Sequence, residues 1–193
     1  MVGRKFDPAH AERLVSEERR RWTDPDALVA RLGVRRGDTL ADIGCGPGFY
    51  TLPLARAAAP GTVWGFDVQA EMVRRAHERA AHEHVPNARF ALVPEVGLPV
   101  EDGVLDGAFC ACVLHEAEQP DAFLAEIRRA LKPAGWLCLI EWHKRPMDRG
   151  PAVESRLSAD ETRALLAAAG FEPRADWELA DAMLYVQLVA RGA

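Results

Sequence analysis

Residues Leu40 to Thr51 read Leu-Ala-Asp-Ile-Gly-Cys-Gly-Pro-Gly-Phe-Tyr-Thr. A short apolar run reaches Asp42, glycines at 44, 46 and 48 alternate with other residues, and an apolar helical pattern follows at once. Strand, glycine turn and helix are the parts of a nucleotide-type site. Glycine can take a positive φ and let the backbone approach a ligand where a Cβ would collide. The helix behind the turn offers unpaired N–H groups to whatever lies in it. The turn therefore constrains the rest of the chain to a fold that places a small cofactor at a strand's carboxyl end.

The flanking sequence supplies such a fold. Helical spacing runs from Pro8 to Trp22, and Asp24-Pro25-Asp26 opens a second helix that Gly33 stops. Strands are expected at Thr39 to Ile43, Val63 to Phe66 (finishing in Asp67), Asn87 to Val93, Gly107 to Leu114 and Trp136 to Trp142. Between them lie helices over about Tyr50 to Ala59, Ala70 to His82 and Pro120 to Leu131. The nearly unbroken apolar run of the fourth strand suits burial on both faces. Ser158 and Glu161 match a capping box for a helix over about Ala159 to Ala169. Two final strands, Pro173 to Leu179 and Ala182 to Ala190, are joined by only Ala180-Asp181, which permits a hairpin and no parallel crossover. Alternating strands and helices imply a parallel sheet with right-handed crossovers. The fold class is therefore α/β, a Rossmann-like three-layer sandwich with a seven-stranded, mostly parallel sheet whose last strand is antiparallel. One domain over 1–193 is expected, with helices in 1–37 as a possible lid and the cofactor-binding core in 38–193.

Composition narrows the partners. The formal net charge is −5, which argues against a long nucleic acid, since its readers usually carry a basic face. No apolar run approaches the roughly 18 residues of a membrane span, and Met1 to Asp7 is too polar for a signal peptide, so a cytoplasmic location is expected. Cys45, Cys110, Cys112 and Cys138 show no paired CxxC spacing and read as reduced thiols in strands.

A dinucleotide site would want G-x-G-x-x-G, but the third glycine comes one residue early and position 49 is Phe. Asp42-Ile43-Gly44-Cys45-Gly46-Pro47-Gly48 instead resembles the first motif of class I S-adenosylmethionine-dependent methyltransferases. Further matches follow in order: Asp67 ending the second strand, Leu98-Pro99 before the fourth, and Leu131-Lys132-Pro133-Ala134-Gly135 before the fifth. The resemblance spans roughly Leu40 to Trp142 and is nearest the small-molecule branch, similar to ubiquinone/menaquinone-type enzymes. It implies S-adenosylmethionine as cofactor, with the methionine end near Asp42, Gly44, Cys45, Gly46 and Gly48. Asp67, about 20 residues beyond the glycines, has the separation of a ribose-hydroxyl acceptor, with Val68 beside it. For adenine, Pro94 stands where the family commonly has an acid, and Glu95 serves if the turn shifts by one. The backbone at Val96 and the side chain of Met72 are lesser candidates.

Ligands lie beyond the carboxyl ends of strands in such sheets, so the methyl acceptor would meet His115-Glu116 and Glu141-Trp142-His143-Lys144. His115 is the first candidate for a base or orienter and Glu141 the second; a structural role for His115 as a local cap weighs about equally. Lys144, Arg145 and Arg149 read as a solvated loop run or as a lid over an anionic acceptor. The N-terminal helix, with Phe6, Arg19, Arg20 and Trp22, reads as a scaffold or a fold-over segment. Cys110 and Cys112 alternate on a strand and should face the same way; packing outweighs arsenic chemistry for them. His77, His82 and His84 cluster without ligand partners of suitable spacing, so no metal is expected. The acceptor would be a small molecule. The alternatives are a non-catalytic S-adenosylmethionine-binding protein and a protein or RNA methyltransferase, the latter opposed by the missing Asn/Asp-Pro-Pro-Tyr type motif after the fourth strand. None of these motifs encodes the acceptor's identity or the oligomeric state.

Overall fold

A computed structural model describes residues 5–192; residues 1–4 of the N-terminal stretch read above, and residue 193, lie outside the described residues. Seven strands, β1 (Leu40–Ile43), β2 (Val63–Asp67), β3 (Ala88–Leu92), β4 (Leu105–Ala111), β5 (Leu131–Trp142), β6 (Phe171–Leu179) and β7 (Leu184–Arg191), form one sheet in the order β3-β2-β1-β4-β5-β7-β6. The first five are parallel; β7 pairs antiparallel with both β5 and β6. The strand order reverses direction beside β1, between β1 and β4, which puts the glycine turn at the switch point where open sheets leave a crevice.

The two-residue strand period sorts the core into two layers. Leu40, Phe109, Cys138 and Ile140 pack on the face covered by α2 (Pro25–Leu32), α3 (Thr51–Ala58) and α4 (Ala70–His82). Their neighbours Ala41, Ile43, Ala108, Cys110, Leu137 and Leu139 pack on the face covered by α5 (Pro120–Ala130) and α6 (Ala159–Ala168). Side chains on both faces are buried, which is why β1 and β4 read as continuous apolar runs.

Local signals set the helix ends. Asp24 accepts from the Ala27 N–H with Pro25 at the first helical position, and Gly33 closes α2 in a left-handed conformation. Ser158 and Glu161 form the full capping box of α6. The expected Pro8–Trp22 helix is divided: a 3-10 segment covers Pro8–Val15, and α1 runs Glu17–Thr23. Ser16, extended between them, caps α1 by accepting from the Arg19 N–H; its side chain competes with helix continuation. β5 starts five residues early because Leu131 already pairs with Leu105 before an irregularity near Asp106. The closing turn spans Ala180 to Met183, longer than expected, with Ala180, Asp181 and Ala182 all at positive φ.

Phe109, fully buried at the sheet centre, carries the Tyr50 ring 4.7 Å away. Phe109→Ala should cost about 3–5 kcal/mol of stability, read by urea denaturation.

Candidate functional site

β1 ends at Ile43 and the chain turns through the glycines into α3. At Gly44 φ is +71°, and a Cβ there would lie 2.2 Å from Val113 Cγ2, so conformation and space both require glycine. The N–H groups of Gly44 and Cys45 donate to the Phe66 carbonyl at 2.8 and 3.0 Å, which ties the turn to β2. Asp67, at the end of β2, accepts from Gly46 N–H at 2.8 Å through one oxygen and from Gln69 N–H at 2.9 Å through the other. Burial raises its pKa and these N–H bonds oppose the rise.

Asp42 faces α3, and its carboxylate accepts a 2.5 Å hydrogen bond from the Thr51 hydroxyl. Burial pushes the Asp42 carboxyl up to about 7; the Thr51 bond opposes this and the charge of Asp67 adds to it. Thr51 is a site residue that sequence reasoning missed, although it stands in the first turn of the helix behind the glycines. Val68 and Met72 border the same cavity with Val93, Pro94 and Leu98. Glu95 also borders it, but one of its oxygens accepts from the N–H groups of Glu118 and Gln119 at 2.6 and 3.2 Å. Gly48 faces Ala76 and Phe90 behind the turn. Gly48, Val96 and Glu141 lie outside the cavity lining.

At the other end, Cys112 takes a left-handed backbone (φ +59°). This ends β4 three residues earlier than the apolar run implied and starts a 3-10 turn over Leu114–Glu116. It also corrects the expected common orientation of the two cysteines: Cys110 packs in the α5/α6 layer and Cys112 against the opposite one. Burial pushes both thiols up, so neither is an available thiolate. The 3-10 turn brings His115 onto Glu141 of β5. His115 Nδ1 lies 2.7 Å from one Glu141 oxygen and its backbone N–H donates to the other at 3.2 Å. Burial lowers the His115 pKa, but the charge and hydrogen bond of Glu141, with Glu116 behind them, outweigh it and raise it. Glu141 thus sits beneath the cavity floor and reaches the site through His115.

One wall of the cavity is built by a loop that showed no sequence period. Arg156 is 2% exposed, and its guanidinium donates to the carbonyls of His143, Arg145, Arg149 and Pro151 at 2.6–3.1 Å. Its planar fork of donors organises the whole loop; nothing in the sequence set it apart from the neighbouring arginines. At Gly150 φ is +87° and a Cβ would lie 2.8 Å from the Trp142 ring, so the loop folds onto that indole. Trp142 meets Trp22 of α1 at 6.2 Å between ring centroids. Arg149 pairs with Glu18 and lies 6.0 Å over the Trp22 ring. Lys144 instead pairs with Glu161, and Arg145 bonds the Ala182 carbonyl, both outside the cavity lining. Of the histidine cluster, His77 packs edge-on against Phe90; among the described residues, no three His, Cys, Asp or Glu side chains come together as metal ligands.

One cavity of about 1410 Å³ joins both ends and is roofed by residues from Lys5 to Trp22. Single small-molecule sites usually run to roughly 300–1,000 Å³, so this volume accommodates two molecules side by side. The donor set fits S-adenosylmethionine: a carboxylate for vicinal hydroxyls at Asp67, a buried carboxylate near the turn at Asp42, and apolar Met72 and Leu98 beside them. Trp22 Nε1, another cavity-lining group, is buried without a hydrogen-bond partner among the described residues.

This turn, switch-point cavity and 3-2-1-4-5-7-6 sheet define the class I S-adenosylmethionine-dependent methyltransferase fold. Residues 41–139, just over half the chain, match the model of the methyltransferase domain, and the chain belongs to that family. It is 31% identical to a SAM-dependent methyltransferase from Aquifex aeolicus, with a TM-score of 0.92 over 97% of this chain and 100% of that one. An uncharacterised 37.1 kDa transposon protein of Streptomyces fradiae is 34% identical, over 77% of this chain and 45% of its own length. A ubiquinone/menaquinone biosynthesis C-methyltransferase of Burkholderia mallei is 33% identical, over 60% of this chain and 48% of its own. The chain spans about half the length of the curated relatives it matches. S-adenosylmethionine is the family's cofactor, and no helix among the described residues is long and apolar enough to cross a membrane.

The Asp42 carboxyl generates a stability prediction. Its folded pKa of about 7 lies above the reference of 3.8, so its contribution to stability is complete below about pH 4 and is lost as pH rises through about 7. Asp42→Asn should therefore stabilise the ligand-free protein at pH 8 by on the order of 1–3 kcal/mol and change little at pH 4. Urea denaturation at the two pH values measures both.

Proposed function

We propose that the protein transfers a methyl group from S-adenosylmethionine to a small organic acceptor. The observation that carries this reading is the single cavity in which the glycine turn and Asp67 face His115, Glu116 and Trp142. The bound cofactor supplies an activated methyl on a sulfonium. Asp67 binds the ribose hydroxyls, and the turn at Gly44, Cys45 and Gly46, with Asp42, receives the methionine end. Val68 and Met72 border the adenine, with Glu95 at its amino edge; Val96, outside the cavity lining, takes no part. Gly48 serves indirectly, by letting α4 pack close behind the turn.

At the acceptor end, His115 accepts the proton that a hydroxyl, thiol or amine loses as it is methylated, and Glu141 fixes the tautomer that keeps Nε2 unprotonated. Positioning in a water-poor cavity supplies much of the rate. Within residues 1–37, the part from Lys5 to Trp22 acts as a lid, since Phe6, Arg19 and Trp22 already lie over the cavity, whereas α2 packs in the core. The quinone-type relative favours a small acceptor over a protein or RNA, as does the net charge of −5. The loop cations beside Arg149 are engaged elsewhere, which disfavours an anionic one. Four free cysteines suit a reducing cytoplasm.

Asp67→Ala should weaken S-adenosylmethionine binding by roughly 1.5–3 kcal/mol in calorimetry; unchanged affinity refutes the ribose role. A metabolite screen with methyl-labelled cofactor tests transfer itself, and tight cofactor binding without transfer to any pool would leave a binding protein. With an acceptor from that screen, His115→Gln should cut turnover by about 10²-fold while cofactor affinity stays within a few-fold; equal losses would make His115 a wall of the pocket.

A further inference from the structure

Glu116 has a place in the site that neither the fold nor the turn explains. It follows His115 in the 3-10 turn, and its Oε1 lies 3.9 Å from His115 Nε2, opposite the nitrogen held by Glu141. That distance is too long for a hydrogen bond and short enough for strong charge interaction. Nε2 is left open to receive a proton while a carboxylate stands beside it. The other Glu116 oxygen accepts from the backbone N–H of Phe6 at 3.4 Å. The Phe6 carbonyl in turn accepts from the Gln69 side chain at 2.9 Å, and Gln69 N–H is bound to Asp67. One peptide strap is thus pinned to the cofactor corner on one side and to the acceptor corner on the other.

We propose that Glu116 is a positioning residue for the His115 base, held in place by the main chain of the N-terminal strap, so that closure of the strap completes the base. This rests on the methyl-transfer reading above. When the acceptor X–H bond breaks, its proton goes to Nε2, the pair left on X forms the new bond to the methyl carbon, and the sulfonium's carbon–sulfur bond breaks with its pair going to sulfur, leaving S-adenosylhomocysteine. The imidazolium then stands between two carboxylates, Glu141 at Nδ1 and Glu116 beside Nε2. The charged or titratable groups facing His115 are Glu141 from β5, Glu116 from its own turn and Arg156 from the loop; Asp67 and Glu141 also act on Glu116. Arg156 opposes the imidazolium and is unchanged in every variant below.

The test is an NMR titration of His115 in the full chain labelled on histidine, its signal assigned by its absence in His115→Gln. Glu116→Gln should move the titration midpoint down by about 0.5–1 pH unit, with S-adenosylhomocysteine affinity within about threefold of wild type by calorimetry. Gln69→Leu, which frees the Phe6 carbonyl, should move it the same way by less. A wild-type midpoint in Glu116→Gln overturns the proposal. A wild-type midpoint in Gln69→Leu alone overturns the part played by the strap. Should Glu116→Gln not fold, Glu116→Asp keeps the charge but withdraws it, and must also lower the midpoint for the proposal to stand. Failure of the wild type to bind S-adenosylhomocysteine would instead strike the methyl-transfer reading, independently of the midpoints.

Discussion

The left-handed residue at the end of β4 is the constraint on which both halves of the cavity depend. With Cys112 at φ +59°, the chain leaves the sheet and Val113 swings across to fill the space over Gly44. On one side this contact fixes the glycine turn from above, as the Phe66 carbonyl fixes it from below. On the other it starts the short turn that lays His115 against Glu141. Such a conformation costs an L-residue of order 1–3 kcal/mol, and strain of this kind persists where its surroundings over-determine it. Here Cys112 N–H donates to the Ile140 carbonyl at 2.7 Å, so β5 holds the kink in place.

Carboxylates dominate the electrostatics of the site, and the protein manages each of them differently. Asp67 is met by backbone N–H groups, Asp42 by a hydroxyl, Glu141 by an imidazole and a main-chain N–H, and Glu116 by the strap. None of these four is paired with a lysine or arginine among the described residues. Hydrogen-bond donors limit the cost of burying these groups without pairing them with a fixed cation.

Features written in neighbouring residues were legible in the sequence, and features made by strand register were not. The Asp24 cap and the Ser158 capping box depend on contacts within a few residues, and the glycine turn and the acid ending β2 showed in residue type and spacing along the chain. The central strands, β4 above all, showed through because burial on both faces leaves nearly continuous apolar runs. The union of His115 with Glu141 depends on β4 lying beside β5, and adjacent strand ends only suggested it. Ser16 and Cys112 broke the expected elements through single backbone conformations that pattern-counting does not register. The arginine cage was invisible because Arg156 differs from Arg145 and Arg149 only in what surrounds it.

That cage separates the shape of this cavity wall from its chemistry. A loop held by its own side chains must keep them, whereas the loop around Arg156 is gripped by its carbonyl oxygens, which every amino acid carries. Positions such as Asp148, Ala152 and Glu154 line the cavity, and the Arg156 bonds hold the main chain without using their side chains. The wall is therefore a rewritable surface on a frame held by main-chain bonds. A lineage could change the shape and charge of this wall by substituting these few residues, without finding a new path for the backbone.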